Sequence, residues 1–463
     1  MTVVPRRRAT GRRRLSFGEE LDHQDVVNHT DEALTRYRTP RLGLGAAYAL
    51  LDQAFFGSAG LAVNILMGRW LPRDEYGAFA LAYSFFLLLG AFHTAFLTEP
   101  MLVHGPSTYV NRFREYLGLL LIGHAGVSLI GSFLIAGVAW MTWTMSHSTI
   151  AAPLWALAIS NPFILLAWLS RRAFYALLSP KWATAGSAVY ATLAVGGVFL
   201  LFWTGTLSAA SSVAMMGIAG FIAGLLLILV LRPVIRYDAS LLERRAVLLE
   251  HWRYGRWSSP AALLAWIPSN LFVLLLAWSG NLSTAGVLRA ITNLVLPAFQ
   301  AIAGVSVLIT PWFVKCLLDE GTGRLKQAVG ASFAWLGWIA GPYGLFLFVL
   351  AHDVLSVIYL GRYDGYEYLV RGIALLPVLT AATAILGGAL RARNHPELVF
   401  ICYGFGSLIA LTIGVWLTLT RGAIGAVASM VICGFAIALA MFQHHVRLDA
   451  GKGTTLAVSS DTS

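Results

Sequence analysis

Long apolar segments recur along the whole chain, and each is about as long as a helix that crosses a lipid bilayer. Such a helix needs roughly 20 mostly apolar residues. Twelve segments meet this requirement: 45–67, 77–103, 117–141, 151–170, 184–204, 208–231, 258–279, 285–310, 329–351, 368–390, 398–419 and 422–445. Hydrophobic residues make up 58% of the chain and charged residues 12%, against about 45–50% and 25% in soluble domains. We therefore expect an all-α integral membrane protein with twelve transmembrane helices and no soluble domain.

The basic residues predict how these segments are oriented. Twenty-seven of the 33 Lys and Arg residues fall in the N-terminal tail, in the loops after segments 2, 4, 6, 8 and 10, or in the C-terminal tail. The other six lie near the opposite ends of the segments: Arg69, Arg73, Arg289, Arg362, Arg371 and Arg421. Because cytoplasmic loops carry an excess of Lys and Arg, we expect a multi-pass protein of the cytoplasmic (inner) membrane with both termini in the cytoplasm. The net charge of +11 then reflects topology, and no nucleic-acid partner is expected.

The two halves of the chain repeat one pattern. Segments 2 and 8 each begin near a glycine and end near a proline, with 23 residues from Gly77 to Pro100 and 25 from Gly286 to Pro311. Each half contains six segments, an even number, so the two copies have the same orientation in the membrane. This predicts two parallel six-helix lobes, related by a pseudo-two-fold axis along the membrane normal, with a cleft between them that permits alternating access.

These observations divide the chain into five parts. Residues 1–44 form a basic cytoplasmic tail that we expect to be disordered. Residues 45–232 and 258–446 form the N-terminal and C-terminal lobes. Residues 233–257 connect the lobes on the cytoplasmic side, where the amphipathic stretch 241–257 predicts a helix lying on the membrane surface. Residues 447–463 form a second cytoplasmic tail.

Several short motifs resemble one family of transporters. The stretch 48–105 contains a DQ pair, the turn RWLPRDEYG and the ending LTEPML. Further matches are RRAFYALLSPKWA (171–183), WRYGRW (252–257), LRAITNLVLP (288–297) and IGAVAS (424–429). Together they resemble prokaryotic Wzx-type polysaccharide flippases of the multidrug/oligosaccharidyl-lipid/polysaccharide (MOP) exporter superfamily. The resemblance implies a V-shaped pair of six-helix bundles that flips lipid-linked oligosaccharide to the outer leaflet during exopolysaccharide biosynthesis. The basic tail is not part of the family pattern.

Ionisable side chains inside apolar segments are candidates for function, because each costs roughly 2.5–3.5 kcal/mol to insert. Asp52 and Gln53 lie about two turns into segment 1. They could form a polar substrate contact or a proton site, or Asp52 could pair structurally with a neighbouring arginine. Glu99 near the end of segment 2 could be a coupling carboxylate, or it could form a rim salt bridge with Arg112, Arg114 or Arg172.

Arg289 is the candidate for phosphate binding. Guanidinium groups bind phosphate through two parallel hydrogen bonds, and a lipid-linked sugar carries a diphosphate; alternatively, Arg289 could extend to the outer surface and face lipid. His124, Asn64 and His93 are further polar candidates for the substrate cleft. A buried histidine of this kind can equally be a hydrogen-bonded packing residue.

Two other functions compete with the flippase. A cation-coupled small-molecule antiporter of the same superfamily could share the fold and the coupling carboxylates. A membrane polysaccharide polymerase or ligase is disfavoured, because the loops after segments 3, 5 and 7 are short and carry no Lys, Arg, Asp or Glu. No catalytic, nucleotide-binding or metal-binding motif is present, so we expect a non-enzyme without cofactor or metal. The expected partners are the lipid-linked glycan, membrane lipids, and polysaccharide polymerase and glycosyltransferase machinery.

Overall fold

The computed structural model describes residues 41–145, 148–235 and 241–458, and regular structure in these ranges is helical. We expected the basic tail, residues 1–44, to be disordered. Residues 1–40 of this tail lie outside the described ranges, and residues 41–44 are helical. Eleven of the described helices are long and apolar enough to cross a membrane. One of them, 54 residues long, is broken at Gly321, whose φ is 77°. Counting its two arms separately gives twelve spans and confirms an all-α multi-pass membrane protein.

The N-terminal half contributes seven helices. They are α1 (Arg41–Trp70), α2 (Arg73–His93), α3 (Glu99–His104), α4 (Phe113–Thr144), α5 (Ser148–Ala176), α6 (Pro180–Trp203) and α7 (Ala209–Leu231). A π-helical turn, Thr94–Thr98, joins α2 to α3. The turn precedes Pro100, which has no amide hydrogen to donate to the Phe96 carbonyl. That carbonyl instead accepts a hydrogen bond of 2.7 Å from Nδ1 of His251.

The C-terminal half contributes nine helices. They are α8 (Leu241–Trp278), α9 (Leu282–Asn293), α10 (Leu296–Val349), α11 (Ala351–Tyr359), α12 (Glu367–Ile373), α13 (Leu376–Ala392), α14 (Pro396–Ile409), α15 (Val415–Arg421) and α16 (Ala423–Val458). The predicted eighth segment is interrupted at Leu294 and Val295, just before Pro297, because Pro297 has no amide hydrogen to donate to the Asn293 carbonyl. The last helix continues to Val458, so residues 447–458 are helical.

The stretch 241–257 is not a separate surface helix. It is the first half of α8, which continues through Pro260 into the seventh span. One side of this stretch packs on the N-terminal half. There, Nε2 of His251 shares a 2.7 Å hydrogen bond with the Tyr116 hydroxyl. Prolines are tolerated inside membrane helices, where neighbouring groups satisfy the freed carbonyls, and the sequence pattern alone did not reveal this continuity.

The two glycines that revealed the repeat lie where the halves meet. A methyl group on Gly77 would overlap the Leu282 carbonyl oxygen, and one on Gly286 would come within 2.6 Å of the Arg73 carbonyl oxygen. Each glycine therefore faces the residue four positions before the other glycine. This reciprocal contact of α2 with α9 is what a two-fold axis between the matched helices produces.

We call the two ends of the helices the basic face and the opposite face. The basic face is the end of the helices at which the connections after spans 2, 4, 6, 8 and 10 lie; their sequences carry 16 of the 33 arginines and lysines. The Gly77–Gly286 crossing lies towards the opposite face, near the turns that join α1 to α2 and α8 to α9.

Candidate functional site

A cavity of about 790 Å³ lies between the two halves, lined by residues from both. From the N-terminal half, α1, α2, α5, α6 and α7 contribute to its wall; from the C-terminal half, α8, α9, α10, α13, α14 and α16 do. Arg289 is the only charged side chain among the described lining residues, and none of those residues is a carboxylate. The cavity is therefore positively charged, and most of its wall is apolar or aromatic.

Arg289 is held at the cavity wall by residues of the other half. Its side chain is buried, so it does not extend to lipid. Its Nε donates a 3.0 Å hydrogen bond to Oδ1 of Asn64 on α1, and its guanidinium carbon lies 4.6 Å from the centre of the Tyr83 ring on α2. Among the described residues no carboxylate lies within 4.0 Å of it. The arginine thus combines a fixed position with an unneutralised charge, two properties of an anion-binding group.

Aromatic side chains form the N-terminal wall of the cavity. Phe56 stacks on Tyr190 with ring centres 5.4 Å apart, and Phe86 meets the edge of Trp168 at the same distance. Sequence reasoning missed these residues, because the same residue types also face lipid in large numbers. Polar groups are contributed by Gln53, which the sequence analysis had singled out, and by Gln300, Thr380 and Thr383, which it had not.

The structure places Asp52 away from the cavity, contrary to its assignment as a substrate contact. Its carboxylate is fully buried and accepts hydrogen bonds from Arg171 Nη1 (2.9 Å), the Tyr175 hydroxyl (2.5 Å) and the Ser187 hydroxyl (2.5 Å). All three partners belong to the N-terminal half. The alternative that the sequence left open, a structural pair with an arginine, is the arrangement observed.

This ion pair leads to a stability prediction. Asp52→Asn leaves the buried Arg171 guanidinium without a counter-charge, which typically costs about 3–5 kcal/mol. We expect a markedly lower melting temperature in detergent, whereas Gln53→Ala, one residue along, changes it little. The double variant Asp52→Asn/Arg171→Met removes both charges and should recover much of the loss. A stable double variant that is inactive in transport would contradict a purely structural role for the pair.

His124 and His93 also lie away from the cavity wall, contrary to the assignment of His124 to the substrate cleft. Nε2 of His93 and Nδ1 of His124 share a hydrogen bond of 2.9 Å between α2 and α4. Both side chains are buried inside the N-terminal half. This is the hydrogen-bonded packing arrangement that the sequence left open for them.

Glu99 links the halves rather than forming the predicted rim salt bridge. Its carboxylate accepts a 2.5 Å hydrogen bond from the Ser258 hydroxyl on α8, whereas Arg112 pairs with Glu115. Together with the His251–Phe96 bond, this contact fastens α8 to the N-terminal half at the basic face. The depth of Glu99 along its helix was predictable from the sequence, but the direction in which its side chain points was not.

Three arginines fasten the halves together at the opposite face. Arg69 donates hydrogen bonds to the carbonyls of Ile358 and, at 3.0 Å, Val357. Arg362 donates in return to the Arg69 carbonyl at 2.6 Å, and Arg73 donates to the Arg362 carbonyl. We call Arg69, Arg73 and Arg362 the arginine latch. Sequence analysis had placed all three near this face but had not paired them.

Breaking the latch should expose the cavity from the opposite face. The double variant Arg69→Ala/Arg362→Ala removes three of the four cross-connections. A loss of about 1.4 kcal/mol corresponds to a tenfold shift in a conformational equilibrium, so we expect about tenfold faster labelling of a cysteine at Thr292 by an impermeant thiol reagent. The background is a variant in which Cys316, Cys402 and Cys433 are replaced. Arg421→Ala, at the same face, is the control; unchanged labelling in the latch variant would contradict the assignment.

One group of side chains at the opposite face could offer ligands to a metal ion. His352, Asp364 and Glu367 place one ligand atom each within 4.8 Å of one another. The hydrogen bond of 3.1 Å to Glu367 raises the pKa of His352. Because the group is largely exposed and this ion pair accounts for its geometry, we assign no metal to it.

Comparisons with solved structures identify the fold. A multidrug resistance MATE family transporter of the MOP superfamily in an inward-facing conformation aligns with a TM-score of 0.70 at 15% identity, over 88% of this chain and 99% of that one. The lipid II flippase MurJ, in an inward closed conformation, aligns with a TM-score of 0.64 at 13% identity, over 91% and 93%. The chain has the fold of the MOP-superfamily transporters.

A third solved structure, a MOP-superfamily transporter from Pyrococcus furiosus Vc1, aligns with a TM-score of 0.62 at 14% identity, over 88% of this chain and 95% of that one. Its reversed binding-pocket polarity is described as suggesting a different function for that protein. No protein-family model matches the sequence, and no curated protein matches it. At these identities the likeness extends to the fold and not to the substrate.

Proposed function

We propose that this protein is a transporter that flips a lipid-linked oligosaccharide across the cell membrane by alternating access. The observation that carries the proposal is the charge of the cavity: Arg289 is its one charged group among the described lining residues, and it has no carboxylate partner there. A diphosphate is the anionic part of such a substrate and is the group that is hardest to move through the membrane interior. A fixed guanidinium can replace part of its hydration.

The remaining wall suits the sugar portion of this substrate. A cavity of about 790 Å³ lies within the range of about 300–1,000 Å³ typical of small-molecule sites. Amide and hydroxyl groups of Gln53, Gln300, Thr380 and Thr383 can exchange hydrogen bonds with sugar hydroxyls. The rings of Phe56, Trp168 and Tyr190 offer flat apolar faces to the sugar rings. The Wzx-like motifs favour the same substrate class.

The direction of transport follows from the predicted topology. With the basic face in the cytoplasm, the closed Gly77–Gly286 crossing and the arginine latch lie on the outer side. Substrate would be loaded from the cytoplasmic leaflet and released after the latch opens. Polysaccharide polymerase and glycosyltransferase machinery are the partners that this role implies.

A cation-coupled antiporter is the second candidate, and one observation favours it. The buried Asp52 carboxylate, with Arg171 and Tyr175, is a group whose protonation could be coupled to transport. Against an organic cation as cargo stands the cavity itself, whose described wall holds an arginine and no carboxylate. A positive wall repels such a cargo, so we rank this function second.

Gene deletion separates the two functions in the cell. Loss of a flippase should leave unpolymerised, carrier-linked glycan on the cytoplasmic leaflet and reduce surface polysaccharide. Loss of an antiporter should leave surface polysaccharide normal and alter sensitivity to toxic cations. Normal polysaccharide in the deletion strain would contradict the proposed function.

A further inference from the structure

A second pocket opens at the basic face between α8 and α14. It has a volume of about 680 Å³. The two helices touch deeper in the membrane, where the Ser407 hydroxyl donates a 2.6 Å hydrogen bond to the Leu264 carbonyl. The pocket lies between the two helices, from that contact towards the basic face. We call this space the α8–α14 wedge.

The wedge adjoins the central cavity, because the two spaces share part of their walls. Ala265 on α8 and Tyr403 on α14 line both spaces. These two residues lie at the narrow end of the wedge, beside the Leu264–Ser407 contact. α8 is also fastened to the N-terminal half, by the Glu99–Ser258 and His251–Phe96 hydrogen bonds. A substrate that moved from the wedge past Ala265 and Tyr403 to Arg289 would therefore not require α8 to leave the N-terminal half.

Two arginines flank the wide end of the wedge. Arg253 on α8 and Arg391 at the end of α13 both line it, and both are exposed. Neither forms an ion pair within the described part of the chain. No carboxylate belongs to the described lining, although the nearby Glu99 accepts a hydrogen bond from the lining residue Ser258. The wide end is therefore cationic, as is the central cavity.

Apolar side chains complete the wedge. Trp257 is 73% exposed and Phe400 is 42% exposed, and Val399 lies beside Phe400. At the end of membrane-spanning helices, exposed rings of this kind lie at the lipid interface. A ligand in the wedge would thus meet cationic hydrogen-bond donors with one part of its structure and an apolar surface with another part.

We propose that the α8–α14 wedge is a loading site for the lipid-linked diphosphate. Arg253 and Arg391 bind the diphosphate at the basic face, Trp257 and Phe400 contact the first part of the hydrocarbon chain, and the headgroup then passes Tyr403 to reach Arg289. This inference rests on the proposed function, and it adds a binding site at which the substrate is recognised before it reaches the cavity.

Binding kinetics test the loading site. The purified full-length protein is placed in nanodiscs of neutral phosphatidylcholine, and the probe is a long-chain polyprenyl diphosphate. Arg253→Ala/Arg391→Ala should slow association at least about tenfold, the effect of losing about 1.4 kcal/mol. Arg245→Ala, an exposed arginine on the same helix outside the wedge lining, should associate at the wild-type rate. The polyprenyl alcohol, which lacks phosphate, should bind weakly to every variant.

A second measurement reports position. A photo-crosslinking amino acid at Phe400 should capture the polyprenyl diphosphate, and excess inorganic diphosphate should reduce the capture. The same group at Leu408, exposed on the same helix beyond the narrow end of the wedge, should capture much less. Equal capture at the two positions, or equal capture of the alcohol, would overturn the proposal.

The outcomes separate this proposal from the function on which it rests. If the wild type does not bind the diphosphate at all, the proposed function fails. If the wild type binds and Arg289→Ala lowers affinity, but Arg253→Ala/Arg391→Ala associates as fast as wild type, the function stands. The loading site is then wrong, and the two arginines serve only as positive-inside anchors.

Discussion

Replacing Arg289 with alanine is expected to reduce translocation of a lipid-linked oligosaccharide by about a hundredfold. A hydrogen bond to a charged group contributes about 1.5–3 kcal/mol, and loss of about 3 kcal/mol of substrate stabilisation corresponds to about a hundredfold. Arg289→Lys keeps the charge but loses the planar pair of donors and the Nε bond to Asn64, so it should keep part of the activity. Arg289→Gln should resemble the alanine variant.

The control for this prediction is Arg371→Ala. Arg371 is an exposed arginine on α12 that does not belong to the described cavity lining. It should transport at the wild-type rate. All variants are compared at equal expression and with melting temperatures measured, so that loss of function is separated from loss of fold. Wild-type translocation by Arg289→Ala would remove the observation on which the proposed function rests.

Replacing Gly77 with alanine is expected to stop the transport cycle. The added methyl group would overlap the Leu282 carbonyl oxygen, a backbone atom that cannot rotate away. The α2–α9 crossing must then separate, and the opposite face can no longer close. We expect transport to fall at least about tenfold, the consequence of shifting the equilibrium by about 1.4 kcal/mol, and a cysteine at Thr292 to become accessible from that face.

Two further glycine substitutions serve as a milder test and a control for this prediction. Gly286→Ala, whose methyl group would come within 2.6 Å of the Arg73 carbonyl oxygen, should have the same effect to a smaller degree. Gly126→Ala adds a methyl group with nothing within 4 Å and should be silent. If Gly77→Ala fails to fold, transport and accessibility are measured in the milder variant Gly286→Ala instead. Normal transport and a closed opposite face in both crossing variants would contradict the assigned closure.

The fold was largely predictable from the sequence, because each span must satisfy its backbone hydrogen bonds and cover itself with apolar side chains in lipid. Hydropathy therefore located the spans, and the matched spacings that begin at Gly77 and Gly286 predicted a repeat, although not the contact between the two glycines. The continuity of α8 was missed, because the amphipathic pattern of 241–257 predicted a separate surface helix, whereas one helix continues through Pro260 into the span. The break before Pro297 was missed as well, because apolar residues continue through it.

The site was predictable only in part. Arg289, Asn64 and Gln53 line or support the cavity, whereas Asp52 and His124 point into the N-terminal half. In a span that is apolar all round, sequence gives the depth of a polar residue but little about its direction. An unpaired arginine so far inside a span has few structural explanations, and this made Arg289 the most informative of the candidates. An acid or a histidine can be satisfied by a partner on an adjacent helix.

The central claim is that the cavity moves an anionic, lipid-linked substrate, and reconstitution of the purified protein tests it most directly. Proteoliposomes receive a fluorescent lipid-linked oligosaccharide in one leaflet, and its arrival in the other leaflet is followed with an impermeant quencher. The account predicts transfer well above that of protein-free liposomes, loss of transfer in Arg289→Ala, and no transport of a fluorescent organic cation. Cation transport by the wild type, with the oligosaccharide remaining in its original leaflet, would contradict the account.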